Sequence, residues 1–279
     1  MTFTRRQLFA VAPLAIANAQ SSTDKGKRIA MDSLAALGGD KFLAMKDRIE
    51  TGRAYSFYRE QLAGLSIAKI YTRYSDRPAS GDLGVSERQV FGKKEEDAVV
   101  FFPNGEAWEV TFRGARPFTG ERMARYREST PRNFLYILRE RLKEPGLIFD
   151  FQRSEVWANV PVDIVDVADS ENRVTTVYFH QSTKLPVRQI FIRRDPATKE
   201  RHEEVTMLSK FRDVGGGVQW PFDTHRERNG EKIFQMFADT VTINRDVPDQ
   251  FFQLPDGVKK LKPVAGGPSL RRPSLLKAT

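Results

Sequence analysis

The stretch RHEEVTMLSKFRDVGGGVQWPFDTHRERNGEKIFQMFADTVTI, residues 201–243, decides the fold of this chain. From Val205 to Phe211 the odd-numbered side chains are mainly apolar, which is the two-residue period of a β-strand. Gly215-Gly216-Gly217 and Asn229-Gly230 interrupt this pattern with residues that favour tight turns. The stretch therefore predicts consecutive antiparallel strands joined by short turns.

The same period extends outward along the chain in both directions. Residues 156–164 alternate in polarity, and residues 48–58 and 65–74 are predicted to form the two strands of a hairpin. Pro103-Asn104-Gly105 marks a second hairpin, because Asn-Gly supplies the positive backbone angles of a tight turn. A meandering antiparallel sheet follows from this spacing.

Two segments have the helical period instead. Residues 24–37 place apolar side chains on one face and end at Gly38-Gly39, which favours a left-handed helix cap. Residues 119–143 are amphipathic and contain Pro131, which is damaging inside a helix and tolerated in its first turn. We therefore expect an N-terminal helix and a mid-chain interrupted helix that cover one face of a large curved sheet, an α+β fold.

The two ends of the chain differ in composition from its body. Residues 1–19 contain Arg5-Arg6, a short apolar run and Ala17-Asn18-Ala19, which predict an export signal of the twin-arginine or the ordinary secretory type. Residues 258–279 are basic and rich in Pro and Gly, which predicts a disordered tail. Residues 20–257 contain no linker and are expected to form a single domain.

The formal net charge of +9 is concentrated at these two ends. The signal contributes +2 and the tail +6, so residues 20–257 carry only +1. A nearly neutral body gives no reason to expect a nucleic-acid partner. The tail is either a solvated cationic segment or a loose contact with anionic envelope surfaces.

Sequence patterns of known catalytic and metal sites are lacking. His180, His202 and His225 stand far apart, without the close pairs of zinc sites, and the chain has no cysteine. No Ser is framed as a nucleophile elbow, and there is no phosphate-binding glycine loop. We therefore expect no catalytic residues, no metal and no cofactor.

Aromatic residues are unusually frequent, with 20 Phe, 7 Tyr and 3 Trp. Phe57-Tyr58 and Phe101-Phe102 place large side chains on both faces of one strand, whereas a sheet wetted on one side needs a single apolar face. Both faces could simply be core, or one face could line an apolar pocket beneath the helices.

The order of these elements resembles a known family. The resemblance covers roughly residues 26–255 and rests on short motifs, namely Ala36-Leu37-Gly38-Gly39, 160–167, Val177-Tyr178-Phe179, 183–188, 214–218 with Trp220-Pro221, and 249–255. The chain is similar to the periplasmic lipoprotein-carrier superfamily of LolA/LolB-like, outer membrane lipoprotein-sorting proteins. This resemblance implies an open β half-barrel closed on its concave face by the helices, with room for an acyl chain.

The resemblance also implies a set of site residues. Lid residues Phe134, Leu138 and Leu142 and sheet residues Tyr55, Phe57 and Phe101 would line the hollow. The arginine that latches the lid in the best-known members has two candidates here, Arg53 and Arg73.

The sequence thus favours a soluble, monomeric, non-enzymatic periplasmic carrier of lipid or lipoprotein acyl chains. An envelope protein-interaction module with the same fold is the main alternative, and a secreted hydrolase is a weaker one. A shared fold does not decide between these functions.

Overall fold

The computed structural model describes residues 12–75, 82–92, 97–195 and 198–263. Thirteen strands in these residues form one antiparallel sheet that does not close on itself, and helices cover one of its faces. The predicted α+β fold with a large curved antiparallel sheet is confirmed.

The strands in chain order are β1 (Asp47–Tyr58), β2 (Gln61–Tyr74), β3 (Val85–Phe91), β4 (Asp97–Phe101), β5 (Ala107–Thr111), β6 (Gly114–Pro117), β7 (Ile148–Trp157), β8 (Val160–Ala168), β9 (Val174–His180), β10 (Pro186–Arg194), β11 (Arg201–Asp213), β12 (Gln219–Arg228) and β13 (Glu231–Ile243). The helices are α1 (Ala12–Leu37), α2 (Asp40–Leu43), α3 (Gly120–Ser129) and α4 (Phe134–Tyr136), which continues as a π-helical turn (Ile137–Arg141). Two 3₁₀ turns lie at Thr130–Arg132 and Asp249–Phe252.

The spatial order of the strands is β6-β5-β4-β3-β2-β1-β13-β12-β11-β10-β9-β8-β7. Consecutive strands joined by short turns pair as predicted, whereas β6 and β7 lie at opposite edges of the sheet. Strand β1 pairs with β13, which brings the first and last strands together in the middle. A register shift in this central pair lies at Thr51/Gly52, where a Cβ on Gly52 would overlap the carbonyl of Phe237. Glycine at this position lets the two strands approach.

The segment between β6 and β7 crosses the sheet as the interrupted helix that the sequence predicts. Helix α3 ends at Ser129, and Pro131 lies in the 3₁₀ turn that follows. Its missing N–H is tolerated there because the first N–H groups of a helical turn have no partner within the turn. We call residues 120–141 the lid. The face of the sheet beneath the lid, α1 and α2 is the inner face, and the opposite face is the outer face.

The main core lies on the inner face of β7–β13. Buried side chains of α1, α2 and α4 pack there against the sheet, with Phe134 edge-on to Phe179 at 5.0 Å and Phe42 stacked near Trp220 at 6.4 Å. Helix α1 approaches β7 so closely that a Cβ on Gly26 would lie 2.5 Å from the Phe149 carbonyl oxygen. Burial of large apolar side chains, at about 1.5–3 kcal/mol each, holds these helices on the sheet.

The outer face of β1–β6 is covered by the chain after β13. A second apolar cluster joins Tyr71, Val90 and Val100 of the sheet to Val247 and Phe252. The following segment also pairs with the sheet, because Lys260 forms a parallel bridge with Ala115 of β6. Both faces of this half of the sheet are therefore partly covered.

The two predicted terminal segments are only partly described. Helix α1 begins at Ala12, ahead of the predicted start at Asp24, and residues 1–11 of the predicted signal lie outside the described residues. Residues 258–263 of the predicted tail lie against β6, whereas 264–279 lie outside the described residues. No helix in the described ranges is long and apolar enough to cross a membrane.

Candidate functional site on the inner face of the sheet

Four of the predicted site residues lie on the inner side. Phe134 and Leu138 of the lid are completely buried in the main core, and Leu142 is partly buried against it. Phe101 of β4 lies beneath α3, where its ring is 4.4 Å from that of Tyr126. The lid thus rests on the sheet through apolar side chains at both of its ends.

Tyr55 and Phe57 lie on the outer face instead. Ala54 pairs with Met236 in the inner-face layer, so its neighbour Tyr55 points the other way and packs against Phe237 at 5.9 Å. The ammonium of Lys232 is 4.4 Å from the centre of the Phe57 ring. Neither side chain faces the lid.

The two latch candidates are also on the outer face. Arg53 forms a 3.3 Å ion pair with Asp239, and both side chains are 55% exposed. Arg73 forms an ion pair with Asp249 and lies over the ring of Phe252 in the C-terminal segment. These arginines fasten β1 to β13 and β2 to the outer covering.

The arginine of β1 that points inward is Arg48. Its guanidinium donates hydrogen bonds to the Tyr74 hydroxyl (2.7 Å) and the Thr72 hydroxyl (2.9 Å), and it lies 4.0 Å from the ring centre of Trp220. Its Nε is 3.5 Å from the Glu50 carboxylate. Burial alone would lower the pKa of Arg48, but nearby Tyr74 and Glu50 raise it above its ordinary value, so the group stays charged.

Two carboxyl groups accompany this arginine. Burial raises the pKa of Glu50 above its ordinary value of 4.5, although Arg48 acts in the opposite direction. Glu87 accepts hydrogen bonds from Thr72 (3.3 Å) and Gln89 (2.5 Å). We call these side chains the polar cluster, with members Arg48, Glu50, Thr72, Tyr74, Glu87 and Gln89.

The polar cluster extends to the lid. The Arg139 guanidinium lies 5.2 Å from the ring centre of Tyr74 and donates a 3.0 Å hydrogen bond to the Met45 carbonyl. Burial raises the pKa of Tyr74, so its hydroxyl remains protonated at neutral pH. The lid and the start of β1 are therefore joined above the polar cluster.

An apolar surface continues from the polar cluster along the same strands. It is a separate cluster of β1, β2, β3 and β13 side chains, and no helical residue belongs to it among the described residues. We call it the inner apolar wall, with members Ala54, Ala68, Ile70, Phe91, Phe234 and Met236. Its central positions are small, because Gly52 pairs with Ala68 between the larger side chains.

Several polar contacts hold the lid on the sheet. The Arg132 guanidinium donates to the Ile192 carbonyl (2.7 Å), and the Tyr136 hydroxyl donates to the Leu83 carbonyl (2.5 Å). At the end of the lid, Arg141 donates a 2.8 Å hydrogen bond to the buried carboxylate of Asp169. Ile192 belongs to β10, Asp169 directly follows β8 and Leu83 lies two residues before β3, so the acceptors stand on both sides of the β1–β13 pair.

Two other features bear on possible chemistry. A pocket of about 510 Å³ lies between α2 and the turn at 214–218, and the Lys41 ammonium donates a hydrogen bond to the Gly216 carbonyl there. Within the described ranges, no group of three or more His, Cys, Asp or Glu side chains is arranged to hold a metal ion.

Sequence reasoning missed the polar cluster. Arg48, Glu50, Gly52 and Ala54 stand at alternate positions of β1 and share one face. That spacing is a sequence signal for a shared polar face, but Tyr55 and Phe57 place larger apolar side chains on the opposite face of the same strand.

No family model matches the sequence, and a search of curated proteins finds no relative. One solved structure, from Vibrio parahaemolyticus, is described as an outer membrane lipoprotein-sorting protein domain. It aligns with 83% of this chain and 97% of its own chain, at 10% identity and a TM-score of 0.57. A DUF1329 family protein from Desulfovibrio piger aligns over the same shares at 11% identity and the same TM-score. These likenesses confirm the predicted LolA-like resemblance at the level of the fold.

Proposed function

We propose that this protein is a non-enzymatic periplasmic carrier that holds the acyl chain of a lipid or lipoprotein against the inner face of the sheet. The observation that carries the proposal is the inner apolar wall, which lies beside the polar cluster on a face partly covered by the lid. The lipoprotein-sorting description of one similar structure supports it.

An acyl chain fits the chemistry of the inner apolar wall. Gly52, Ala54 and Ala68 form a shallow strip on which a hydrocarbon chain can lie, and Phe91 and Phe234 flank it. Each buried methylene contributes about 0.8 kcal/mol to binding. A long chain would therefore be held firmly without specific polar contacts.

The polar cluster suits the other end of an amphiphile. An ester or amide group next to the acyl chain needs hydrogen-bond partners when it leaves water. Arg48, Thr72 and Gln89 carry donors within one or two strands of the apolar wall. We propose that the head of the cargo lies there and that its tail follows the wall.

Release of a cargo whose head lies in the polar cluster requires the lid to move. The contacts of Arg139 with Met45 and of Arg132 with Ile192 keep the lid closed and would break on opening. A carrier must hold its cargo when the lid is closed and release it when the lid is open. The cargo can shift the equilibrium between the closed and open lid only by the difference in its affinity for these two states. The predicted export signal supports a periplasmic location.

The experiment compares two phenylalanines of β13 that lie on opposite faces. Phe234 belongs to the inner apolar wall and Phe237 to the outer face, and both are partly buried. The full chain would be purified after export, extracted with organic solvent and analysed by mass spectrometry, and its affinity for a fluorescent fatty acid would be measured.

We expect co-purified lipid in the wild type and about a fivefold loss of fatty-acid affinity in Phe234→Gln, which corresponds to about 1 kcal/mol of lost apolar contact. Phe237→Gln should stay within about twofold of the wild type. An empty protein without fatty-acid affinity would favour the interaction module instead.

A further inference from the structure

An apolar surface of unusual exposure lies on the outer face at the end of the β1–β2 hairpin. Leu62 is 58% exposed, Leu65 48% and Ile67 44%, and the cross-strand neighbours of Leu62 and Leu65 are aromatic. We call this the outer apolar patch, with members Tyr55, Phe57, Leu62, Leu65, Ile67 and Phe237. Contiguous apolar surface of this kind on a soluble protein marks an interaction site.

Basic side chains stand directly over the aromatic rings of this patch. The Lys232 ammonium is 4.4 Å from the Phe57 ring centre, and the Lys210 ammonium is 4.9 Å from that of Phe237. At the adjoining hairpin turn, outside the patch, the Arg59 guanidinium lies 5.3 Å from the ring of Tyr58. Aromatic rings with neighbouring Lys and Arg are the side-chain combination found where proteins meet the boundary between lipid and water.

The acidic groups beside the patch are largely compensated. Asp239 is paired with Arg53 at 3.3 Å, and Asp223 with Lys210 at 3.6 Å. Among the described residues, no carboxylate lies within 4 Å of the charged group of Arg59 or Lys232. Glu60 is exposed in the same turn, and Glu227, the cross-strand neighbour of Lys232, bonds His225 at 3.1 Å. The charged groups of Arg59 and Lys232 can therefore contact lipid phosphates.

The patch is also placed next to the inner apolar wall. Tyr55 and Ala54 are adjacent in β1 and point to opposite faces, and the same holds for Ile67 and Ala68 in β2. One layer of sheet separates the two surfaces. A surface that binds the outer apolar patch would therefore lie close to the inner apolar wall.

From these observations we infer that the outer apolar patch docks the protein on an anionic lipid bilayer. The aliphatic side chains of Leu62, Leu65 and Ile67 enter the interface, while Arg59 and Lys232 contact lipid phosphates. This docking does not depend on the cargo proposed above, because it uses the opposite face of the sheet.

The test is vesicle flotation with the full chain. Vesicles of phosphatidylcholine containing about one third phosphatidylglycerol would be compared with vesicles of phosphatidylcholine alone. The test variant is Leu62→Thr/Leu65→Thr/Ile67→Thr, which keeps β-forming residues at three exposed positions. Phe112→Thr is the matched control, because Phe112 is 82% exposed in the β5–β6 turn, away from the patch.

We expect the wild type and Phe112→Thr to float with the anionic vesicles, and the triple variant to bind on the order of tenfold more weakly. Arg59→Gln/Lys232→Gln should remove the preference for phosphatidylglycerol. Lipid extraction of the triple variant measures its cargo separately from flotation. A failure of membrane docking can therefore be distinguished from a failure of the proposed lipid carriage. If the triple variant does not fold, Leu62→Thr alone is tested.

Two results would overturn the inference. The first is wild-type protein that fails to float, or a triple variant that floats as well as the wild type. The second is a dimer in analytical ultracentrifugation that the triple variant abolishes, since the patch would then join two copies of the chain.

Discussion

The backbone N–H of Phe134 donates a 2.8 Å hydrogen bond to the side-chain oxygen of Gln189, and both residues are buried. Phe134 is the first residue of α4, where backbone N–H groups lack partners within the helix. The bond from β10 supplies such a partner and fixes the lid over the middle of β7–β13. An uncharged side chain in the sheet therefore determines where the lid rests.

Gln189→Leu should loosen the lid. The Phe134 amide would be left buried without an acceptor, which costs about 1–3 kcal/mol of unfolding free energy. Urea denaturation measures the loss, and hydrogen exchange should show faster exchange of the Phe134 amide. Gln152→Leu, at an exposed position of β7, is the control and should change neither reading. Unchanged exchange at Phe134 would contradict the role given to Gln189.

Glu50→Gln should change how stability depends on pH. Because the folded-state pKa of Glu50 is raised by burial, its contribution to stability is complete below the ordinary value of 4.5 and is lost as pH rises through the folded-state pKa. The variant lacks this loss, so its stability relative to the wild type should increase from pH 4 to pH 8. Denaturation at several pH values checks this, with Glu60→Gln in the exposed turn as control. A pH-independent difference would contradict the prediction.

Asp169→Asn should weaken the contact at the end of the lid and make the free energy of unfolding less dependent on pH in acid. Burial acts to raise the pKa of Asp169, but hydrogen bonds from Arg141 and Arg173 prevail and lower it to about 2 from 3.8. The stabilisation is therefore present above pH 3.8 and is lost as pH falls through about 2.

This shift corresponds to about 2 kcal/mol at neutral pH, and Arg141 keeps its ion pair with Glu144 in the variant. Acid titration of unfolding free energy measures this effect. Asp163→Asn, which removes a carboxylate bonded to Ser154 in an exposed contact, is the comparison. If the unfolding free energies of the wild type and Asp169→Asn depended on acid pH in the same way, the stabilising role given to Asp169 would be ruled out.

Gly26→Ala should destabilise the protein, although alanine favours an isolated helix by about 1 kcal/mol over glycine. The added Cβ would lie 2.5 Å from the Phe149 carbonyl oxygen and would push α1 away from β7. We expect a loss of about 1–3 kcal/mol by thermal or urea unfolding. Lys27→Ala, at the next and exposed position, should be neutral. A stabilised Gly26→Ala would show that α1 does not approach β7 this closely.

The sequence alone was sufficient for the local elements. Alternation in 201–243 and the Asn229-Gly230 turn predict β11, β12 and β13, and the position of Pro131 predicts the break in the lid. These features depend on backbone preferences and short-range periodicity, which neighbouring residues carry. The pairing within each meander follows because tight turns bring consecutive strands together, whereas the β1–β13 pairing joins strands far apart in the chain.

The sequence did not decide which face of a strand is inside. Alternation separates Arg48 from Arg53 and Ala54 from Tyr55, since odd and even positions point in opposite directions, but it does not say which set faces the lid. The C-terminal segment covers part of the outer face, so large apolar side chains occur on both faces and give no signal. Only the tertiary contacts of Arg48 with Trp220 and of Phe134 with Gln189 and Phe179 fix the inside, because they join residues far apart in the chain.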